Sequence, residues 1–115
     1  MNLQEQTVGA VTVVRPEGPL LHEDADQFRK RMLELLTLHG LGGCVVDASA
    51  VPYVDSRGLE ALADANEEIV RRTSGGHALK LCGVTETVRQ VLELTELSPR
   101  FEFFEDVNAA LRSFL

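Results

Sequence analysis

The chain has 115 residues, with 11 Lys+Arg against 18 Asp+Glu and 44% hydrophobic content. That size and composition predict one soluble domain over residues 1–115, with a core large enough to fold without disulfides or a structural metal. The net charge of −7 argues against nucleic acid and anionic membranes as partners.

The first residues, Met1-Asn2-Leu3-Gln4-Glu5-Gln6, lack a basic region followed by an apolar run, and no stretch approaches the ~18 consecutive apolar residues of a membrane span. The expectation is a cytoplasmic protein without direct membrane insertion. Cys44 and Cys82 each lie in an apolar segment without a second Cys or His at metal or redox spacing, the pattern of buried, reduced thiols.

The first element is a hairpin. Leu3 to Val8 and Val11 to Arg15 are β-prone runs flanking Gly9-Ala10. Pro16, Gly18 and Pro19 then break the pattern. Glu23, Asp24 and Asp26 supply the negative charge that favours a helix start, and Ala25, Phe28, Met32, Leu35 and Leu36 recur at helical spacing up to His39-Gly40.

Gly43 to Asp47 is short, apolar and without alternation, as befits a central strand covered on both faces. A second helix is expected from Asp55 or Ser56, with Leu59, Leu62, Ala63, Ile69 and Val70 on its apolar side, ending at Arg71, Arg72 and Gly75-Gly76. His77 to Cys82 reads as a strand. Thr85 caps a helix bearing Val88, Val91 and Leu92; Phe101 to Phe104 forms a last strand; and Val107, Leu111, Phe114 and Leu115 line a final helix. Strand and helix alternate after the hairpin, which predicts an α/β fold with a mixed, mostly parallel sheet and about four helices.

Ligands and partners of such sheets gather at the carboxyl ends of the strands, which directs attention to Asp47 through Leu59. Ser56 falls in the first turn of the second helix, beside unpaired N–H groups and the positive end of the helix dipole. Asp55 or Ser56 can equally serve as a simple helix cap. Gly58 costs about 1 kcal/mol in a helix interior relative to alanine. Either tight helix packing or close approach by another protein would account for it.

Val46-Asp47 and Val51-Pro52-Tyr53-Val54-Asp55-Ser56-Arg57-Gly58-Leu59 resemble the signature of STAS domains, in particular the bacterial anti-sigma factor antagonists. There, a strand ending in Asp or Asn leads through an apolar stretch into Asp-Ser-Ser/Thr-Gly-Leu. The hairpin, Gly18 before the first helix, Gly75-Gly76 before the fourth strand and the Val88-to-Leu94 helix fall in the same order.

The resemblance implies a regulatory protein that is not an enzyme and uses no cofactor. The serine after the motif aspartate, here Ser56, is phosphorylated in such antagonists by an anti-sigma factor that is also a serine kinase, and a PP2C-type phosphatase reverses the reaction. The unphosphorylated form binds the kinase and frees its sigma factor, so that sigma-dependent transcription is regulated; the phosphorylated form lets go. Asp55, Ser56, Arg57, Gly58 and Leu59 are the implied partner-binding residues.

Two positions depart from the pattern. Arg57 stands where the antagonists have a small Ser or Thr, and Leu21 occupies the place of an aspartate associated with the partner surface. Electrostatics supports a switch independently, because a phosphate adds roughly −1.5 to −2 charge beside Asp55 and within a turn of Glu60. The helix N-terminus and Arg57 are expected to hold that phosphate without unfolding the domain.

Four other readings are weighed. Val54-Asp55-Ser56-Arg57-Gly58 is a hydrolase nucleophile elbow lacking its first glycine, for which Asp64 and His77 would have to complete a triad. No phosphate-binding glycine motif occurs, and His22, His39 and His77 lack the close neighbours of a metal site. Within the same fold, the alternative is an unphosphorylated scaffold subunit of a transporter or a larger signalling assembly.

Overall fold

The computed structural model describes residues 1–39 and 43–115. β1 (Asn2–Val8) and β2 (Val11–Glu17) pair antiparallel with Val8 opposite Val11, and Gly9 at φ +61° supplies the left-handed residue of the connecting turn. β2 runs two residues past the expected Arg15. Pro16 is accommodated because the ladder from β2 to the next strand stops at Val14, leaving this stretch paired on one side only.

After β2 the chain forms α1 (His22–His39), β3 (Cys44–Asp47), α2 (Ser56–Arg72), β4 (Lys80–Cys82), α3 (Glu86–Leu94), a 3-10 turn (Ser98–Arg100), β5 (Glu102–Phe104) and α4 (Val107–Arg112). Gly40, expected at the end of the first helix, lies outside the described residues. The five strands are ordered β1-β2-β3-β4-β5, with every pair after the first parallel and β3 in the centre. The predicted mixed α/β sheet, its opening hairpin and its four helices are all present.

Both faces of the sheet are covered. On one, Phe28, Met32, Leu35 and Leu36 of α1 and Ala61, Leu62, Ala65 and Ile69 of α2 pack on Val14, Val46 and Leu81, with Val88 and Leu92 of α3 in the same cluster. On the other, Val11, Val13, Val45 and Cys82 meet Ala110 of α4. Cys44 and Cys82 are buried free thiols, and desolvation pushes them up to about 11 and about 12. The basic run Arg29-Lys30-Arg31 on α1 is largely neutralised, Arg29 by Asp64 and Arg31 by Glu5 and Glu34.

The buried side of α2 matches the expected one at Leu62 and Ile69 and departs from it elsewhere. Gly58, Ala61, Leu62, Ala65, Asn66 and Ile69 are buried, whereas Leu59 and Ala63 are half-buried and Val70 is exposed. Small residues let the helix approach α1 closely, so proximity outweighs side-chain hydrophobicity here. Asn66 Oδ1 accepts the Leu79 N–H at 2.7 Å, which explains why β4 begins at Lys80 and not at His77: a donor of the approaching chain is taken by the helix. Phe101 closes the 3-10 turn ahead of β5, and Phe114 and Leu115 lie beyond α4, which Asp106 caps through the Ala109 N–H.

Replacing Asn66 by Ala orphans the buried Leu79 N–H. The expected loss is about 1–3 kcal/mol of folding free energy, measured as a lower urea midpoint with an unchanged m-value.

Candidate functional site

The segment between β3 and α2 is held by a short zipper to the segment before α1. Gly18 N donates to Ala50 O at 3.0 Å, Leu20 N to Tyr53 O at 3.2 Å and Asp55 N to Leu20 O at 3.2 Å, and Leu20 and Val54 form an isolated parallel bridge. Buried Leu20 and Val51 anchor the two segments in the core. The N-termini of α1 and α2 are thereby brought side by side.

Asp55 joins them. Its Oδ1 accepts the Gly58 N–H at 2.9 Å, capping α2, while its Oδ2 accepts the N–H of His22, the first residue of α1, at 3.1 Å. His22 Nδ1 lies 3.4 Å from the same oxygen, and His22 takes the left-handed region at φ +46°. The Gly58 N–H, followed by His22, holds the Asp55 carboxyl below the usual carboxylate range.

Ser56 is the first residue of α2 and is exposed; among the described residues its hydroxyl has no hydrogen-bond partner. The cap is therefore Asp55, which leaves the serine free of that duty. Arg57 reaches across to α1, with Nη1 3.2 Å from Asp26 Oδ2. Neither group expected to hold a phosphate is idle, since Asp55 occupies the helix N-terminus and Asp26 engages Arg57.

Gly58 is buried, and its lack of a side chain answers to packing within the domain. A Cβ there would overlap the Leu20 carbonyl oxygen and stand 3.0 Å from Val54 Cβ. Leu59 is half-buried and packs against the core, and Leu21 is half-buried. Pro52 and Tyr53, the latter 49% exposed, present apolar surface on the same loop. Both lie in the motif but not among its implied partner-binding residues, although exposed aromatics are enriched at contact surfaces.

The hydrolase triad is not assembled. Ser56 opens α2, whereas His77 follows its other end, its N–H bonded to Thr73 Oγ1; a 17-residue helix places them roughly 25 Å apart. Asp64 pairs with Arg29 at 3.5 Å. Among the described residues no three His, Cys, Asp or Glu side chains gather as a metal site, and no helix is long and apolar enough to cross a membrane.

A family model for the STAS domain matches residues 2–110. The chain belongs to the STAS domain family. Solved structures agree in fold. A Thermotoga maritima protein described provisionally as an anti-sigma factor antagonist superposes with a TM-score of 0.84 at 24% identity, covering 96% of this STAS domain and 92% of that chain.

SpoIIAA, an anti-sigma factor antagonist from Bacillus, gives 0.77 in its unphosphorylated form at 19% identity, over 97% and 96% of the two chains. The murine solute carrier 26 family member A9 anion transporter gives 0.74 at 21% identity, with 92% of this STAS domain covering 18% of the transporter. A comparison with curated protein sequences gives no match.

The bridging carboxylate makes stability depend on pH. A carboxyl depressed in the folded state contributes stability that is present above its unfolded value, about 3.9, and lost as pH falls through the folded value. The thermal midpoint of wild type should drop on acidification below about pH 4, and Asp55→Asn should flatten that part of the profile while lowering the midpoint at neutral pH. Calorimetry of both proteins between neutral and acid pH checks this.

Proposed function

We propose that this STAS domain is an anti-sigma factor antagonist working as a partner switch through Ser56. The observation that carries the reading is the exposed, unbonded Ser56 hydroxyl at the start of α2, next to a carboxylate that fixes the local backbone. A kinase can reach that hydroxyl without unfolding anything. Its unphosphorylated face, made by Ser56, Arg57, Tyr53 and the edge of Leu59, docks on an anti-sigma factor serine kinase in the cytoplasm. Sigma is then free.

Phosphorylation places roughly −1.5 to −2 charge beside Asp55, near Glu60, on a chain of net charge −7. Asp55, which already takes the Gly58 N–H, offsets part of the positive helix end that would otherwise neutralise the phosphate. The added charge faces the docked partner and expels it. A PP2C-type phosphatase resets the surface, and Arg57, which turns aside to Asp26, leaves the approach to Ser56 open for both enzymes.

Incubation of the purified chain with ATP and each candidate serine kinase of its host should label Ser56, as mapped by mass spectrometry. Absence of label with all of them, together with stable association with a transporter subunit, would instead assign the domain to scaffolding. Ser56→Asp should weaken binding to the labelling kinase tenfold or more, about 1.4 kcal/mol, whereas Ser56→Ala should bind as tightly as wild type. Equal affinities of the two variants by calorimetry contradict the electrostatic mechanism.

A further inference from the structure

The sheet is open, with β1 and β5 at its edges, and the two edges differ in what they leave unpaired. Along β5 the Glu102 N–H meets Leu79 O and Phe104 O accepts the Gly83 N–H. Of its three residues only Phe103 therefore turns its backbone groups outward, and the Arg89 guanidinium lies 4.4 Å from the centroid of that ring. β1 is seven residues long. The Thr12 N–H of β2 meets Gly43 O on the β3 side, so by alternation the N–H groups of Val11, Val13, Arg15 and Glu17 point to β1, where their partners are Val8, Gln6, Gln4 and Asn2. The N–H and C=O groups of Leu3, Glu5 and Thr7 therefore face away from the sheet. Pro16, opposite Leu3, fits this alternation, because its missing N–H falls outside the β1 ladder.

β1 carries none of the usual protections of a long edge: it has no Lys, no Pro and no bulge, its register being unbroken from Asn2 to Val8. Its one charge, Glu5, is offset by Arg31, whose Nε and Nη2 donate to the carboxylate at 2.6 and 2.9 Å. Gln4 and Gln6 flank Glu5 and point to the opposite face of the sheet. Both are exposed, and among the described residues their side-chain amides have no hydrogen-bond partner. The segment Leu3-Gln4-Glu5-Gln6-Thr7 is thus nearly symmetric about Glu5, in its side chains and in its outward backbone groups.

We propose that β1 pairs antiparallel with β1 of a second copy of this chain, about a two-fold axis at Glu5, so that two sheets become one. In that register Leu3 lies opposite Thr7 of the second copy and Glu5 opposite its own equivalent, and every outward N–H and C=O finds a partner. Any other register that pairs outward residues leaves some of them unmatched. Gln4 falls opposite Gln6 of the second copy at the positions without backbone bonds, where side chains come closest and two amides donate and accept reciprocally. This self-complementarity favours a second copy over a foreign strand. The two Glu5 carboxylates meet already bound, each by the Arg31 of its own chain. The interface runs along the sheet edge, away from the start of α2, and does not depend on the partner-switch reading.

Amide hydrogen exchange and sedimentation equilibrium of the full chain at rising protein concentration test the proposal. The Gln4 and Gln6 amides, bonded to β2, should be protected throughout. Those of Leu3, Glu5 and Thr7 should become protected only in step with the appearance of dimer mass. Gln4→Lys with Gln6→Lys sets lysine opposite lysine and should raise the dimer dissociation constant roughly tenfold or more. Gln4→Lys with Gln6→Glu sets lysine opposite glutamate in both pairs and should restore the wild-type value or tighten it. A chain that stays monomeric up to its solubility limit overturns the proposal, as does a dimer in which the Leu3, Glu5 and Thr7 amides exchange freely. Equal weakening by the two double variants overturns the register. The exchange measurement uses wild type and decides the matter even if a variant does not fold.

Discussion

One carboxylate holds the starts of α1 and α2 together. Helices α1 and α2 each present about half a positive charge at the N-terminus, and setting two such ends side by side is unfavourable unless something negative lies between them. Asp55 fills that position, with one oxygen on the Gly58 N–H and the other on the His22 N–H. The close approach this requires explains Gly58, where any side chain would meet the Leu20 carbonyl. It also explains His22, held in the left-handed region so that its N–H points at the carboxylate.

From that arrangement the exposure of Ser56 follows. A serine at a helix start ordinarily competes for the role of cap, turning its hydroxyl inward onto the backbone. Here the preceding residue does the capping, so the hydroxyl stands outward on a backbone that is already fixed. On the proposed function, a charge change at such a position alters what can dock far more than it alters the fold. Arg57, bonded to Asp26, stabilises the same α1–α2 contact and leaves Ser56 uncovered.

Much of this was legible in the residues. The hairpin showed in Gly9, the first helix in the spacing of Ala25, Phe28, Met32, Leu35 and Leu36, and the central strand in its unbroken apolar run; all are local patterns with one physical meaning. The motif around Asp55 and Ser56 was recognised by its resemblance to a family signature, since the residues alone left open which of the two caps the helix. What escaped was long-range. The inward turn of Asn66 depends on a donor 13 residues away, and its capture of Leu79 shortened the fourth strand. The second bond of Asp55, to His22, spans 33 residues and has no sequence signature. Ala61 and Ala65 form the buried face of α2 because small residues permit close packing, a property that hydrophobicity alone does not rank.

The claim that fold and contact are separable at Ser56 can be tested without knowing the kinase reaction. Phosphoserine can be installed at position 56 during synthesis, and the modified and unmodified chains compared for amide spectrum and for affinity toward the kinase that labels wild type. The account predicts amide shifts confined to the starts of α1 and α2, an unchanged core and a loss of affinity of tenfold or more. Unaltered affinity, or a spectrum showing that the core has unfolded, would contradict it.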